Sequence, residues 1–301
     1  MQIDDQVIHR AGFLGVPMGI GFYAEGTCFF LSLTEEELDF HYAVTARNIV
    51  KPFDVRTNEP NANPIWMRLQ RNSAAPLEIE TRRSEWISHT DRFIQICVYP
   101  FDLRKWDSSG DLDLNALAIP EITMTKEVEE HFGFGIASEV FIPSVLVNRV
   151  GEKQDSPVAR IGSVASMPIK PVPDGSPRRP AYLIETKSLG GIIGAPVLFH
   201  TNPYRAYRRA SHQFHPVTGH RITPYYLVGM IVGLYSGQYP VDWATGADET
   251  ERSVPTDAEF NAGISVAVPI SDIIDVLNRE ELRNARAESV KMSKKISGYR
   301  G

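Results

Sequence analysis

Hydroxyl, imidazole and carboxylate groups are the parts of an acyl-transfer site, and this chain offers them sparsely. Ser188 and His200 lie close together in sequence, while His41, His89 and Asp91 come from the first half. A Ser188–His200 pair would supply a nucleophile and a base for cleaving an ester or amide. The bland alternative is a loop hydroxyl and a histidine at a strand end. A second concentration of chemistry is basic. Residues 201–221 carry Arg205, Arg208, Arg209 and Arg221 with His212, His215 and His220, no carboxylate, and interleaved Tyr204, Tyr207 and Phe214. Guanidinium groups beside aromatic planes bind phosphate, nucleic acid or an acidic partner, or else stack on one another in a solvated loop. His212-x-x-His215 with His220 has a zinc-like spacing, but no cysteine or carboxylate completes a ligand set. No metal and no cofactor is expected.

Any such group must be positioned by strands. Short apolar or alternating runs recur between clusters of Gly, Pro, Asn and Asp: Gly15–Tyr23, Thr27–Leu33, Phe40–Thr45, Ile65–Gln70, Glu85–Ser88 and Arg92–Tyr99, then Glu139–Val145, Val158–Ala165, Tyr182–Thr186, Pro196–Phe199, Tyr225–Leu234 and Gly263–Val268. About six strands on each side of a middle segment near 105–135 indicate an all-β sandwich or barrel. The helical signal is C-terminal. Ser271 is a candidate N-cap, Asp272 and Asp275 suit the positive end of the helix dipole, and Ile273, Ile274, Val276, Leu277 and Leu282 form an apolar stripe. Lys291–Gly301 is polar and basic and is expected to fray.

Composition bounds the function classes. The 301 residues suffice for one large or two small cores, with 43% hydrophobic and 23% charged residues, as in ordinary globular proteins. A net charge of −6 argues against a generally basic nucleic-acid binder. Cys28 and Cys97 read as buried thiols of a reducing compartment. No basic stretch followed by an apolar one opens the chain. No apolar run reaches the ~18 residues of a membrane span. The expected location is cytoplasmic.

Three runs in order carry a more specific signal. Gly26-Thr27-Cys28-Phe29-Phe30 is followed by Ala43-Val44-Thr45-Ala46-Arg47-Asn48; then come Ile94-Gln95-Ile96-Cys97-Val98-Tyr99-Pro100 and Gly191-Ile192-Ile193-Gly194-Ala195-Pro196-Val197. Together with Pro157-Val158-Ala159-Arg160-Ile161-Gly162, they resemble the catalytic segments of the trypsin-like serine proteases over roughly residues 12–282. That resemblance implies two six-stranded antiparallel β-barrels with a C-terminal helix. The first barrel would span 1–118, the linker and second barrel with its closing helix 119–282, and a polar tail 283–301. The family's general base would fall on Asn48, its orienting carboxylate on Gln95 (or on Asp91 in a shifted register), and its nucleophile on Ile193. The oxyanion-hole N–H groups would be those of Gly191 and Ile193.

Neither the nucleophile nor the base position can perform its role. Ile193 has no heteroatom to attack a carbonyl, and Asn48 is a neutral amide that accepts no proton. Losing the central members of such a triad costs roughly a millionfold in turnover. The resemblance therefore implies a catalytically inactive homologue that holds a peptide or protein partner, or regulates one within a larger assembly. Ser236 and Gly237, at the end of a strand, would be the edge to which an extended peptide adds. An acidic run, Asp242, Asp248, Glu249, Glu251, Asp257 and Glu259, would lie beside the specificity pocket and favour a basic ligand side chain. Two alternatives remain open: a hydrolase working through Ser188, and a scaffold binding an acidic or nucleic-acid partner through residues 201–221. Nucleic acid is the less favoured partner, and no membrane is expected.

Overall fold

The computed structural model describes residues 11–19, 21–51, 63–73, 75–107, 110–112, 114, 116–146, 157–168, 180–187, 190–201, 223–238 and 259–298. The first half is one curled eight-stranded sheet. Its strands are β1 (Ala11–Met18), β2 (Gly21–Glu35), β3 (Leu38–Ala46), β4 (Ile65–Leu69), β5 (Leu77–Thr81), β6 (Ile87–Ser88), β7 (Ile96–Phe101) and β8 (Leu117–Ile119). They run in the order β5-β4-β1-β2-β3-β7-β6, with β8 added in parallel to β2. The apolar run Gly15–Tyr23 is not a single strand, because the chain reverses between Met18 and Gly21 to make the β1–β2 hairpin. β8 ends at Ile119.

The second half closes into a barrel. β9 (Glu139–Ser144), β10 (Val158–Ser166), β11 (Tyr182–Thr186), β12 (Pro196–His200), β13 (Tyr225–Gln238) and β14 (Glu259–Pro269) pair in the order β10-β11-β14-β13-β12-β9. Closure removes free edges, and alternation sets the inside: along β10, Arg160, Gly162 and Val164 are buried while Ile161 faces out. One continuous apolar core joins Phe29, Val44 and Ile96 of the first sheet to Ile192, Val197 and Leu227 of the barrel. The two-barrel architecture implied by the resemblance is thus present, with the first half a curled sheet of eight strands.

Five α-helices occur among the described residues: α1 (Arg47–Val50), α2 (Leu103–Trp106), α3 (Lys126–Phe132), α4 (Ile270–Leu277) and α5 (Glu280–Gly298). Asp102 caps α2 and Thr125 caps α3. The C-terminal expectations need two corrections. Ser271 does not cap α4. That helix follows β14 directly through extended Pro269, and Ile270 is already helical. Lys291–Gly301, expected to fray, instead stays helical as far as Gly298. Leu282, Arg286 and Val290 recur every four residues and are all buried, so one stripe of α5 docks on the body and carries the polar remainder into helix.

Arg286 is the anchor of that docking. Its Nε donates to Glu35 Oε1 at 2.7 Å, and its Nη1 donates to Tyr42 Oη at 3.1 Å and to the Leu277 carbonyl at 2.9 Å. Lys294 pairs with Glu36 further along. Cys28 and Cys97 are both buried free thiols. No helix among the described residues is long and apolar enough to cross a membrane.

Candidate functional site

Thr27, a buried hydroxyl on β2, joins the two halves. Its N–H donates to the Ile193 carbonyl at 2.9 Å, and its hydroxyl donates to the Gly191 carbonyl at 2.6 Å. The same hydroxyl accepts the Val145 N–H at 3.1 Å, and the Thr27 carbonyl accepts the Thr45 hydroxyl at 2.7 Å. The 191–195 turn is tied from its other side as well. Gly194 N–H donates to the Ile231 carbonyl at 2.8 Å, and Ile231 N–H returns to the Ala195 carbonyl at 2.9 Å.

Two glycines make this turn possible. Gly191 (φ 96) and Gly194 (φ 85) hold left-handed backbone. A Cβ on Gly194 would lie 2.0 Å from the Thr27 carbonyl oxygen, and one on Gly191 would lie 2.3 Å from that of Val145. Ile193 itself is half-buried against the common core, with no polar atom beyond its backbone. Among the described residues, the N–H groups of Gly191 and Ile193 meet no acceptor.

Asn48 comes to the same place from the other half. It sits exposed in the single turn α1, directly after β3, and its Nδ2 donates to the Val232 carbonyl of β13 at 3.4 Å. Val232 is the neighbour of Ile231, which receives Gly194. Asn48 and the Ile193 turn therefore meet on two adjacent residues of one strand. Gln95 lies one hydrogen bond away, its carbonyl accepting the N–H of Arg47 at 3.2 Å. Its side chain donates to the Arg92 carbonyl at 3.2 Å. Asp91 is built into the preceding turn. Its carboxylate accepts the Phe93 N–H at 2.9 Å, and its own N–H donates to His89 Nδ1 at 2.9 Å.

The strand edge beside this meeting point is open. β12 pairs with β13 only as far as Met230. From Val232 onward, β13 has β14 on one side and no strand on the other among the described residues. A Cβ on Gly233 would touch nothing, and Leu234 is 38% exposed. Ser236 and Gly237, the expected peptide edge, lie further along β13 opposite Asn261 and Phe260. The accessible edge thus begins nearer Asn48 than the sequence reading placed it.

His200 is half-buried at the end of β12, its ring 5.1 Å from that of Tyr225, and burial lowers its pKa. Ser188, Arg205, Arg208, Arg209, Arg221, His212, His215, His220 and the acidic residues 242–257 lie outside the described residues. Sequence reasoning missed Thr27, Thr45 and Val232 as site-forming groups. The two threonines stand inside the quoted runs, where a hydroxyl at a fully buried strand position was the available signal.

No family model and no curated protein matches the chain. Solved structures similar to it include the MamO protease domain from Magnetospirillum magneticum in its apo form, at 11% identity and TM-score 0.47, covering 91% of this chain and 99% of that one. A mutant of Rv3671c from M. tuberculosis H37Rv in an inactive form aligns at 11% identity and TM-score 0.42, over 92% of this chain and 93% of that one. The HtrA-type protease AlgW with a decapeptide aligns at 10% identity and TM-score 0.46, over 89% of this chain and 63% of that one. On its own strand order, this chain is a closed six-stranded barrel clamped to a second, curled sheet and followed by C-terminal helices, the architecture that the sequence resemblance implied.

Proposed function

We propose that the chain is a peptide- or protein-binding module on a trypsin-like frame, holding an extended segment in the cleft between its halves without cutting it. The observation that carries this reading is that the Ile193 turn and Asn48 bond to adjacent residues of β13. Ile193 has no atom to form an acyl bond, and Asn48 has no lone pair of useful basicity. What remains is a turn whose Gly191 and Ile193 N–H groups meet no acceptor among the described residues, close to an open strand edge. Those are binding features: main-chain hydrogen bonds along Val232–Leu234 would supply affinity, and alternate side chains would supply selectivity.

The test is a peptide library incubated with the full chain, with bound material analysed by mass spectrometry and the chain probed with a fluorophosphonate. The expected result is recovery of intact peptides and no covalent label. Asn48→Trp, at an exposed position, fills the cleft beside Val232 and should weaken binding at least tenfold while leaving the unfolding midpoint within error. Steady cleavage of the peptides, or a label removed by Ser188→Ala, would overturn the reading.

A further inference from the structure

Among the described residues, no carboxylate neutralises the buried charge of Arg160. The side chain projects from the inward face of β10 and is 9% exposed. Its Nη2 reaches the Gly190 carbonyl at 3.4 Å, near the outer limit of a hydrogen bond, and its Nη1 has no partner. The three other buried arginines among the described residues behave differently. Arg68 pairs with Glu78, Arg83 donates to the carbonyls of Ile49, Val50 and Asn63, and Arg286 pairs with Glu35. For Arg160, burial lowers the pKa and no neighbouring carboxylate opposes it. A guanidinium left this way is costly unless something arrives to pair with it.

Its surroundings say what would arrive. Gly190 is exposed, so the guanidinium lies close beneath the surface at the start of the cleft turn. The N–H groups of Gly191 and Ile193 on that turn also lack acceptors among the described residues. Arg160 and these two N–H groups border one turn, where the Gly190 carbonyl is the one acceptor they meet among the described residues. A carboxylate matches a guanidinium in plane, oxygen for nitrogen, and carries the single negative charge that a single arginine balances. The Gly190 carbonyl holds Nη2 weakly enough to be exchanged for it.

We propose that Arg160 and the Gly190–Ile193 turn form a carboxylate-binding site, which takes an acidic side chain or the C-terminal carboxylate of the peptide lying in the cleft. The identity of the ligand as a peptide rests on the function proposed above; the anion site itself does not.

Propionate is therefore the first probe. Titrated into the full chain, it should give a saturable shift of the Arg160 Nε–Hε resonance, assigned by its absence in Arg160→Met and Arg160→Lys. It should also raise the unfolding temperature of the parent chain and not that of R160M. Peptides form the second arm, each prepared with Glu or Gln and with a free or amidated C-terminus. The preferred carboxylate source should bind roughly tenfold or more tighter than its neutral counterpart, and R160M should abolish that preference. No response to propionate in the parent chain, or an equal response in R160M, would overturn the anion site. A propionate response without peptide binding would keep the site and remove the peptide reading. Should R160M fail to fold, the parent resonance shift and R160K decide alone.

Discussion

The hydroxyl of Thr27 donates to the carbonyl of Gly191 at 2.6 Å, bridging two buried residues 164 positions apart in the chain. The same oxygen accepts Val145 N–H, so one side chain holds both the cleft turn and the end of β9. Thr27→Val keeps the shape and removes both bonds, leaving a buried carbonyl and a buried N–H unpaired. The expected loss is about 3 kcal/mol, whereas Thr27→Ser, which keeps the hydroxyl, should lose about 1 kcal/mol. Urea unfolding compares them, and equal losses would show that the hydroxyl contributes little.

Arg286, which docks α5, gives a separate prediction. Arg286→Ala strands Tyr42 Oη, the Leu277 carbonyl and Glu35 at once. Because Glu35 is 39% exposed, water recovers part of that loss, and the expected destabilisation is roughly 2 kcal/mol. The effect should be local first. Amides of 283–298 should lose hydrogen-exchange protection before those of the barrel. A uniform loss across the chain would contradict α5 as a docked element.

Cys28 makes stability depend on alkaline pH. Burial pushes its thiol up to about 12, while an unfolded thiol titrates near 8.5. In the interval between these values the unfolded chain has released the proton and the folded chain keeps it. Stability is thus fully present below the unfolded pKa and falls as pH rises toward the folded one. The slope from this one group is about 1.4 kcal/mol per pH unit. Cys28→Ala carries a constant cavity cost, but its stability curve between pH 9 and 11 should be shallower by that slope. Parallel curves for the two proteins would show that Cys28 does not titrate differently on folding.

Strands whose apolar residues repeat at a period of two were legible in the sequence, and all six strands of the closed barrel fall on expected runs. β5 was not legible because Glu78 and Glu80 occupy its outward positions and leave only Leu77 and Ile79 as an apolar signal. Nor was α5, whose inward stripe places Arg286 between Leu282 and Val290. An arginine reads as surface until Glu35 and Tyr42 are known to wait for it. In the candidate site, Asn48 and Ile193 could be named from local motifs. Their meeting on β13 could not, since it depends on Thr27, Gly194 and Ile231 bonding across distant segments. Arg160 stood inside a quoted run as an ordinary strand residue. That its Nη1 meets no partner among the described residues is a property of packing, and no spacing in the sequence encodes it.

Position 95 can be separated from position 91 by rebuilding the chemistry. Ile193→Ser alone supplies a hydroxyl without a base, and Asn48→His alone a base without a nucleophile, so neither should take a fluorophosphonate label. The double variant should label slowly, because the turn, through Gly194, and Asn48 already bond to adjacent residues of β13. Adding Gln95→Asp tests the third role. The Gln95 carbonyl is bonded to Arg47, next to residue 48, whereas the Asp91 carboxylate is held by Phe93 within its own turn. An orienting carboxylate should therefore work from 95, accelerating labelling at least tenfold over the double variant. If the triple variant is no faster, and Asp91→Asn slows the double one, the register shifts to Asp91. If the double variant does not label at all, Asn48 and Ile193 do not converge as a catalytic pair.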